Sequence, residues 1–189
     1  TFQLRSVGAN VLYFNNNDEL LVCEGGRGRI TVYQKDEEYK VITSNYNGKR
    51  FNQPNDFWPD LKGGIYFSDP KYADIPKLPQ DGEYVYYIKP DFGVVRITPD
   101  LKKPNGIIGT PDNETRFITD TELDKTFQYT FQPNGNLYDK ELFINLGSDG
   151  MTLDKKCRLY LTTISNNQVE VYSPKAQKIT VVEVPEKPS

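Results

Sequence analysis

The sequence predicts an all-β fold, a β-propeller of four-stranded antiparallel blades with about four blades present. Three observations carry this. Helical periodicity is nearly missing, while 13 prolines and 14 glycines punctuate the chain every few residues. Short β-rich or alternating runs recur along the whole length, most of them bounded by Gly, Pro, Asn or Asp. A motif anchored on a polar residue returns four times, at Asn10, Asn55, Asn105 and Asp149, with separations of 45, 50 and 44 residues.

The elements follow in order. Strands are expected in 19–25, 29–34 and 39–44, then in 64–69, 83–89 and 93–99, then in 115–120 and 127–132, and finally in 158–163, 168–173 and 178–184. Each anchored segment supplies one further strand. "QPNDFWPDLKGGIYFSDP", residues 53–70, reads as a strand, a tight turn and a second strand. A polar residue closes the next strand 14 positions after the anchor (Glu24, Asp69, Thr163), or 15 after it (Asp120). About four strands per repeat of 40 to 50 residues is the signature of a propeller blade. In that geometry the innermost strand of each blade lines a central channel, so the anchors are expected to converge on a cavity that water or an ion occupies. Buried amides and carboxylates without partners are costly, which points to a hard cation as their common partner.

Composition bounds the function. With 189 residues the chain suits one domain, 1–189. Lys and Arg total 23 against 26 Asp and Glu, and no long run of either sign occurs, so nucleic acid is not an expected partner. No apolar stretch is long enough for a membrane span. Residues before Thr1 are not visible, which leaves export undecided. Cys23 and Cys157 have no metal-ligand spacing and are expected to be unpaired. There are no histidines. Ser-His-Asp and Cys-His catalysis and imidazole zinc sites are therefore excluded, and oxygen ligands favour calcium, magnesium or manganese.

At the anchors the chain resembles the gluconolactonase, or senescence-marker-protein (SGL), family of six-bladed propellers. "GKRFNQPNDFWPDLKGGIYFSDP" is similar to that family's PND segment, "LKKPNGIIGTPDNETRFITDT" to its PNG segment, and "SDGMTLDKKCRLYLT" to its DGM segment. "LLVCEGGRGRITVY" resembles the stretch before the first of these. The resemblance implies one divalent ion on the propeller axis, usually calcium, with magnesium, manganese or zinc as alternatives, and hydrolysis of a lactone or ester beside it. Carried over by motif, the ligands fall on Asn55, Asn105 and Asp149. The family's fourth ligand, a Glu in an EGP.W motif, has no counterpart in the sequence. About four of six blades are covered, and the chain is expected to be a piece completed by missing or partner segments rather than a closed four-bladed ring.

The chemistry implied is carbonyl polarisation by the ion, with Asp149 as ligand and general base. Low metal affinity and activity are expected without the Glu. Arg50 and Gln53 flank the metal motif and are candidates for contact with a substrate hydroxyl, although a solvated loop is the plainer reading. Asp56 is expected to act as a hydrogen-bond acceptor in a turn, Asn10 as a channel lining, and Trp58 and Tyr66 as packing residues. Asp69 and Asp120 are expected to make one structural hydrogen bond repeated from blade to blade. Residues 71–83 form a proline-rich insertion that suits a lid or a surface loop, and "GGRGR" at 25–29 suits a hairpin turn rather than a phosphate loop. Alternatives to the lactonase are a non-catalytic propeller binding a protein or carbohydrate around a structural ion, an inactive remnant, and a phosphotriester hydrolase on the same ligands.

Overall fold

The computed structural model describes residues 8–15, 17–34, 39–72, 77–98, 100–186 and 188. The chain divides into two compact units, Thr1–Pro99 and Asp100–Ser189. Each contains two four-stranded antiparallel sheets in which sequential strands are neighbours.

In the first unit, β1 (Ala9–Phe14), β2 (Leu20–Glu24), β3 (Arg29–Tyr33) and β4 (Tyr39–Thr43) form one sheet. A small ribbon of β5 (Asn45–Tyr46) and β6 (Lys49–Arg50) leads to the second sheet. That sheet contains β7 (Phe57–Pro59), β8 (Ile65–Asp69), β9 (Tyr84–Ile88) and β10 (Val94–Arg96). The alternation of β2 and β3 sends Leu21, Cys23, Ile30 and Val32 into a core shared with Phe57, Ile65, Phe67, Tyr86 and Ile88 of the second sheet. Phe51 sits in the same core with no exposed surface, edge-on to Phe67 at 4.9 Å and to Tyr86 at 5.1 Å between ring centroids. Burying such a side chain contributes roughly 1.5–3 kcal/mol. The expected packing roles of Trp58 and Tyr66 are met: Tyr13 meets the Trp58 ring edge-on at 6.1 Å, and buried Tyr66 lies 4.4 Å from Tyr87.

Turns between these strands have local causes. The Asp60 carboxylate accepts the N–H groups of Lys62 and Gly64 at 2.7 and 2.9 Å and the Tyr87 hydroxyl at 2.7 Å, which closes the turn between β7 and β8. The "GGRGR" segment is a turn between paired strands, as expected. It forms a single 3-10 turn, Gly25–Arg27, ended by Gly28 in the left-handed region at φ 61°. A side chain at Gly28 would also meet the Phe51 carbonyl at 2.6 Å, so glycine is required there twice over.

In the second unit, β11 (Pro104–Gly109), β12 (Thr115–Asp120), β13 (Lys125–Phe131) and β14 (Leu137–Ile144) make one sheet. Its neighbour comprises β15 (Met151–Leu153), β16 (Leu159–Thr162), β17 (Gln168–Tyr172) and β18 (Lys178–Glu183). Ile107, Phe117, Ile118, Leu159, Leu161 and Val171 are buried. The strand β14 was absent from the expected set, because its run LYDKELFI has charged residues in the middle and is mostly exposed on its outer positions.

The repeated structural carboxylate is present in both units. Asp69, at the end of β8, accepts the Asn52 N–H at 2.9 Å; Asp120, at the end of β12, accepts the Lys102 N–H at 2.6 Å. Both cysteines are free, as expected. Of the insertion at 71–83, residues 73–76 lie outside the described residues, and with them the centre of the proposed lid. Its described end is anchored: Gln80 donates its side-chain amide to the Lys49 and Arg50 carbonyls at 2.7 and 3.0 Å. Among the described residues no helix is long and apolar enough to cross a membrane.

Candidate functional site

Asn105 and Asp149 stand 44 positions apart in the sequence and meet in the second unit. Asn105 lies on β11 where the pairing with β12 shifts register between Pro104 and Ile107, and such an irregularity re-aims a side chain that regular pleating would send elsewhere. Asp149 precedes β15, the first strand of the next sheet, and is exposed. The Asn105 amide nitrogen donates to Asp149 Oδ1 at 2.7 Å. Asn105 itself is 1% exposed, and the oxygen of its amide is buried as well.

The backbone beneath the pair is tightly held. Thr119 on β12 donates its hydroxyl to the Ser148 carbonyl at 2.8 Å, linking the two sheets next to Asp149. Ser148 is buried, and its hydroxyl meets the Gly150 and Thr162 carbonyls at 2.6 and 2.8 Å. Gly106 permits the close approach: a Cβ there would meet the Met151 methyl at 3.0 Å and the Asp149 carbonyl at 3.3 Å.

In the first unit, Asn55 precedes β7 and is buried, 7% exposed. Its backbone N–H donates to the Ser68 carbonyl at 3.0 Å. Among the described residues no hydrogen bond to its side-chain amide is formed. Asp56 behaves as expected, its carboxylate accepting the Phe57 N–H at 2.8 Å. Asn10 lies on β1 and is exposed.

The two candidate substrate residues have backbone partners. The Arg50 guanidinium donates to the carbonyls of Gly26 at 2.7 Å, Arg27 at 3.2 Å, Phe51 at 3.2 Å and Asn52 at 3.1 Å, which ties β6 to the 3-10 turn. Gln53 accepts the Tyr72 N–H at 2.6 Å through Oε1.

The Asn105 and Asp149 side chains suit a hard divalent cation by their chemistry, an amide oxygen and a carboxylate carried by adjacent groups. Among the described residues no three His, Cys, Asp or Glu side chains cluster, so any cation site here depends on amide oxygens. The hydroxyls of Ser68, Thr119, Ser148 and Thr162 were not anticipated. Their signal was present, since Ser68, Thr119 and Thr162 each stand one position before a strand-closing residue of the repeat.

Residues 2–189 match the protein family described as "SMP-30/Gluconolactonase/LRE-like region". The chain belongs to this family. A gluconolactonase from Zymomonas mobilis is 27% identical over 179 residues, covering 84% of this chain and 50% of that protein. The lactonase drp35 of Staphylococcus epidermidis is 24% identical over 200 residues, covering 98% of this chain and 60% of its own length. Among solved structures, a gluconolactonase from Xanthomonas campestris superposes with a TM-score of 0.88 at 25% identity, over 96% of this chain and 64% of that one. Regucalcin from Agrobacterium tumefaciens, a calcium-binding protein, shares the fold with a TM-score of 0.76 at 18% identity, over 95% of this chain and 61% of that one. This member of the SMP-30/gluconolactonase family thus spans about half to two thirds of the length of these relatives. The expected propeller-type, all-β architecture agrees with its four four-stranded sheets and with these neighbours.

Proposed function

We propose that the protein hydrolyses a sugar lactone or related cyclic ester at a divalent cation, calcium in the first instance. Asn105 and Asp149 are its ligands and, on its motif alone, Asn55 is a third. The observation that carries the reading is the contact between Asn105 and Asp149, two motif residues distant in sequence and 2.7 Å apart across two sheets. The relatives named gluconolactonase and lactonase support the reaction class.

A bound divalent cation supplies Lewis acidity, polarising a carbonyl oxygen and stabilising the charge that develops on it. The chain's own groups do the rest. Asp149, exposed to solvent, accepts the proton of an attacking water. The Asn105 amide orients that carboxylate through its hydrogen bond, and with no histidine in the chain no imidazole competes for the task.

Calcium titration of the chelator-treated chain, together with a panel of lactones assayed with and without chelator, tests this. Turnover should depend on the cation, and Asp149→Asn should abolish both calcium uptake and hydrolysis. Undiminished lactone turnover by Asp149→Asn would end the proposal.

A further inference from the structure

Each of the three assigned ligands is followed, 13 or 14 positions later, by a hydroxyl residue on the second strand of its sheet: Ser68 after Asn55, Thr119 after Asn105, and Thr162 after Asp149. All three hydroxyls reach the backbone of the residue immediately after the ligand. Ser68 Oγ accepts the Asp56 N–H at 3.1 Å and lies 3.4 Å from the Asp56 carbonyl. Thr162 Oγ1 accepts the Gly150 N–H at 3.0 Å and lies 3.2 Å from the Gly150 carbonyl. Thr119 Oγ1 lies 3.5 Å from the Gly106 carbonyl and donates to the Ser148 carbonyl at 2.8 Å. It therefore touches the residue after one ligand and the residue before the other.

The first repeat is the internal comparison. Thirteen positions after Asn10 stands Cys23, a buried core thiol with no hydroxyl to offer, and Asn10 itself is exposed. A device needed only to hold strands together would serve this sheet equally. The hydroxyls instead accompany the three repeats whose anchors carry the assigned ligands. Ligand atoms must be held to within about 0.5 Å, which requires that their supporting backbone be pinned by a second layer of hydrogen bonds.

From this we infer that Ser68, Thr119 and Thr162 are positioning residues that set the backbone under the ligands. Thr119 is foremost, because it fixes Asn105 and Asp149 relative to each other. This inference rests on the reading of Asn55, Asn105 and Asp149 as ligands.

Calorimetric titration of calcium into the chelator-treated full chain tests it, alongside thermal unfolding of each variant. Thr119→Val should raise the calcium Kd about five- to tenfold, the range expected from one lost hydrogen bond. Thr119→Ser, which restores the hydroxyl, should return Kd to within about twofold of the wild type. Cys23→Ala should lower the unfolding temperature and leave Kd unchanged, which separates loss of stability from loss of positioning. Thr162→Val, at a half-buried site, should weaken calcium binding in the same way and carries the test if Thr119→Val does not fold. Wild-type affinity in both valine variants, with Asp149→Asn unable to bind, overturns the positioning role and leaves the ligand assignment standing. Wild-type affinity in Asp149→Asn overturns the ligand assignment and the positioning role together.

Discussion

Replacing Asp69 with Asn should change how the first unit responds to pH. Asp69 is fully buried at the end of β8; Oδ2 accepts the Asn52 N–H at 2.9 Å, while Oδ1 is buried and accepts no hydrogen bond from the described residues. Burial pushes its carboxyl from 3.8 up to about 8, with the N–H groups of Asn52 and Gln53 and the charge of Arg50 pulling it back and Glu83 adding to the rise. The folded value is the higher one, so the native state binds this proton more tightly than the unfolded chain. Its stabilising share is complete below about pH 4 and is lost as pH rises through about 8. At about 1.36 kcal/mol per pH unit, the loss across that window is on the order of 5 kcal/mol. Asn keeps an acceptor for the Asn52 N–H and has no charge to bury. Trp58, the only tryptophan, lies on β7 beside β8, so its fluorescence reports on this unit. Urea unfolding followed through Trp58 should show Asp69→Asn gaining on the wild type by several kcal/mol between about pH 5 and about pH 8. Parallel stability profiles for the two proteins over that range would refute the reasoning.

Two other outcomes are expected. Glu24 is fully buried, paired with Arg29 at 2.9 and 3.2 Å and accepting the Thr31 and Tyr33 hydroxyls at 3.0 and 3.3 Å. Glu24→Ala should therefore cost about 3–5 kcal/mol by stranding the Arg29 charge, as measured by the same urea transition. Arg50→Ala removes four bonds to backbone carbonyls and should lower stability by roughly 1–2 kcal/mol, with KM for lactones within about twofold of the wild type. A large rise in KM at unchanged stability would instead make Arg50 a substrate contact.

The β architecture was legible because the strands and turns carry local signals. Buried strands such as β2 and β8 read as continuous β-rich runs, and the turns between strands carry Gly, Asn or Asp. β14 was not legible, since an outer strand with little to bury carries Lys and Glu where an inner one carries Ile or Phe. Asn105 and Asp149 could be singled out because a polar residue recurring at blade spacing is conspicuous. The task of Arg50 could not, because backbone carbonyls as acceptors leave no residue-type signature. Likewise, Asp69 and Asp120 look alike in sequence. Yet Asp120 accepts the N–H groups of Lys102, Lys103, Glu122 and Leu123, whereas among the described residues Oδ1 of Asp69 accepts none and Oδ2 takes the Asn52 N–H. The paths of the chain both before and after each carboxylate decide how many donors reach it.

The two thiols differ in a way that is useful at the bench. Cys23 has no exposed surface, and burial together with the nearby carboxylates Asp56 and Asp69 pushes its thiol well up, so it resists alkylation while the first unit stays folded. Cys157 sits half-exposed in the turn between β15 and β16. A maleimide dye added to the native protein would therefore mark a single, known position on the fourth sheet without any engineering, and a second equivalent of dye incorporated would report that the first unit has opened.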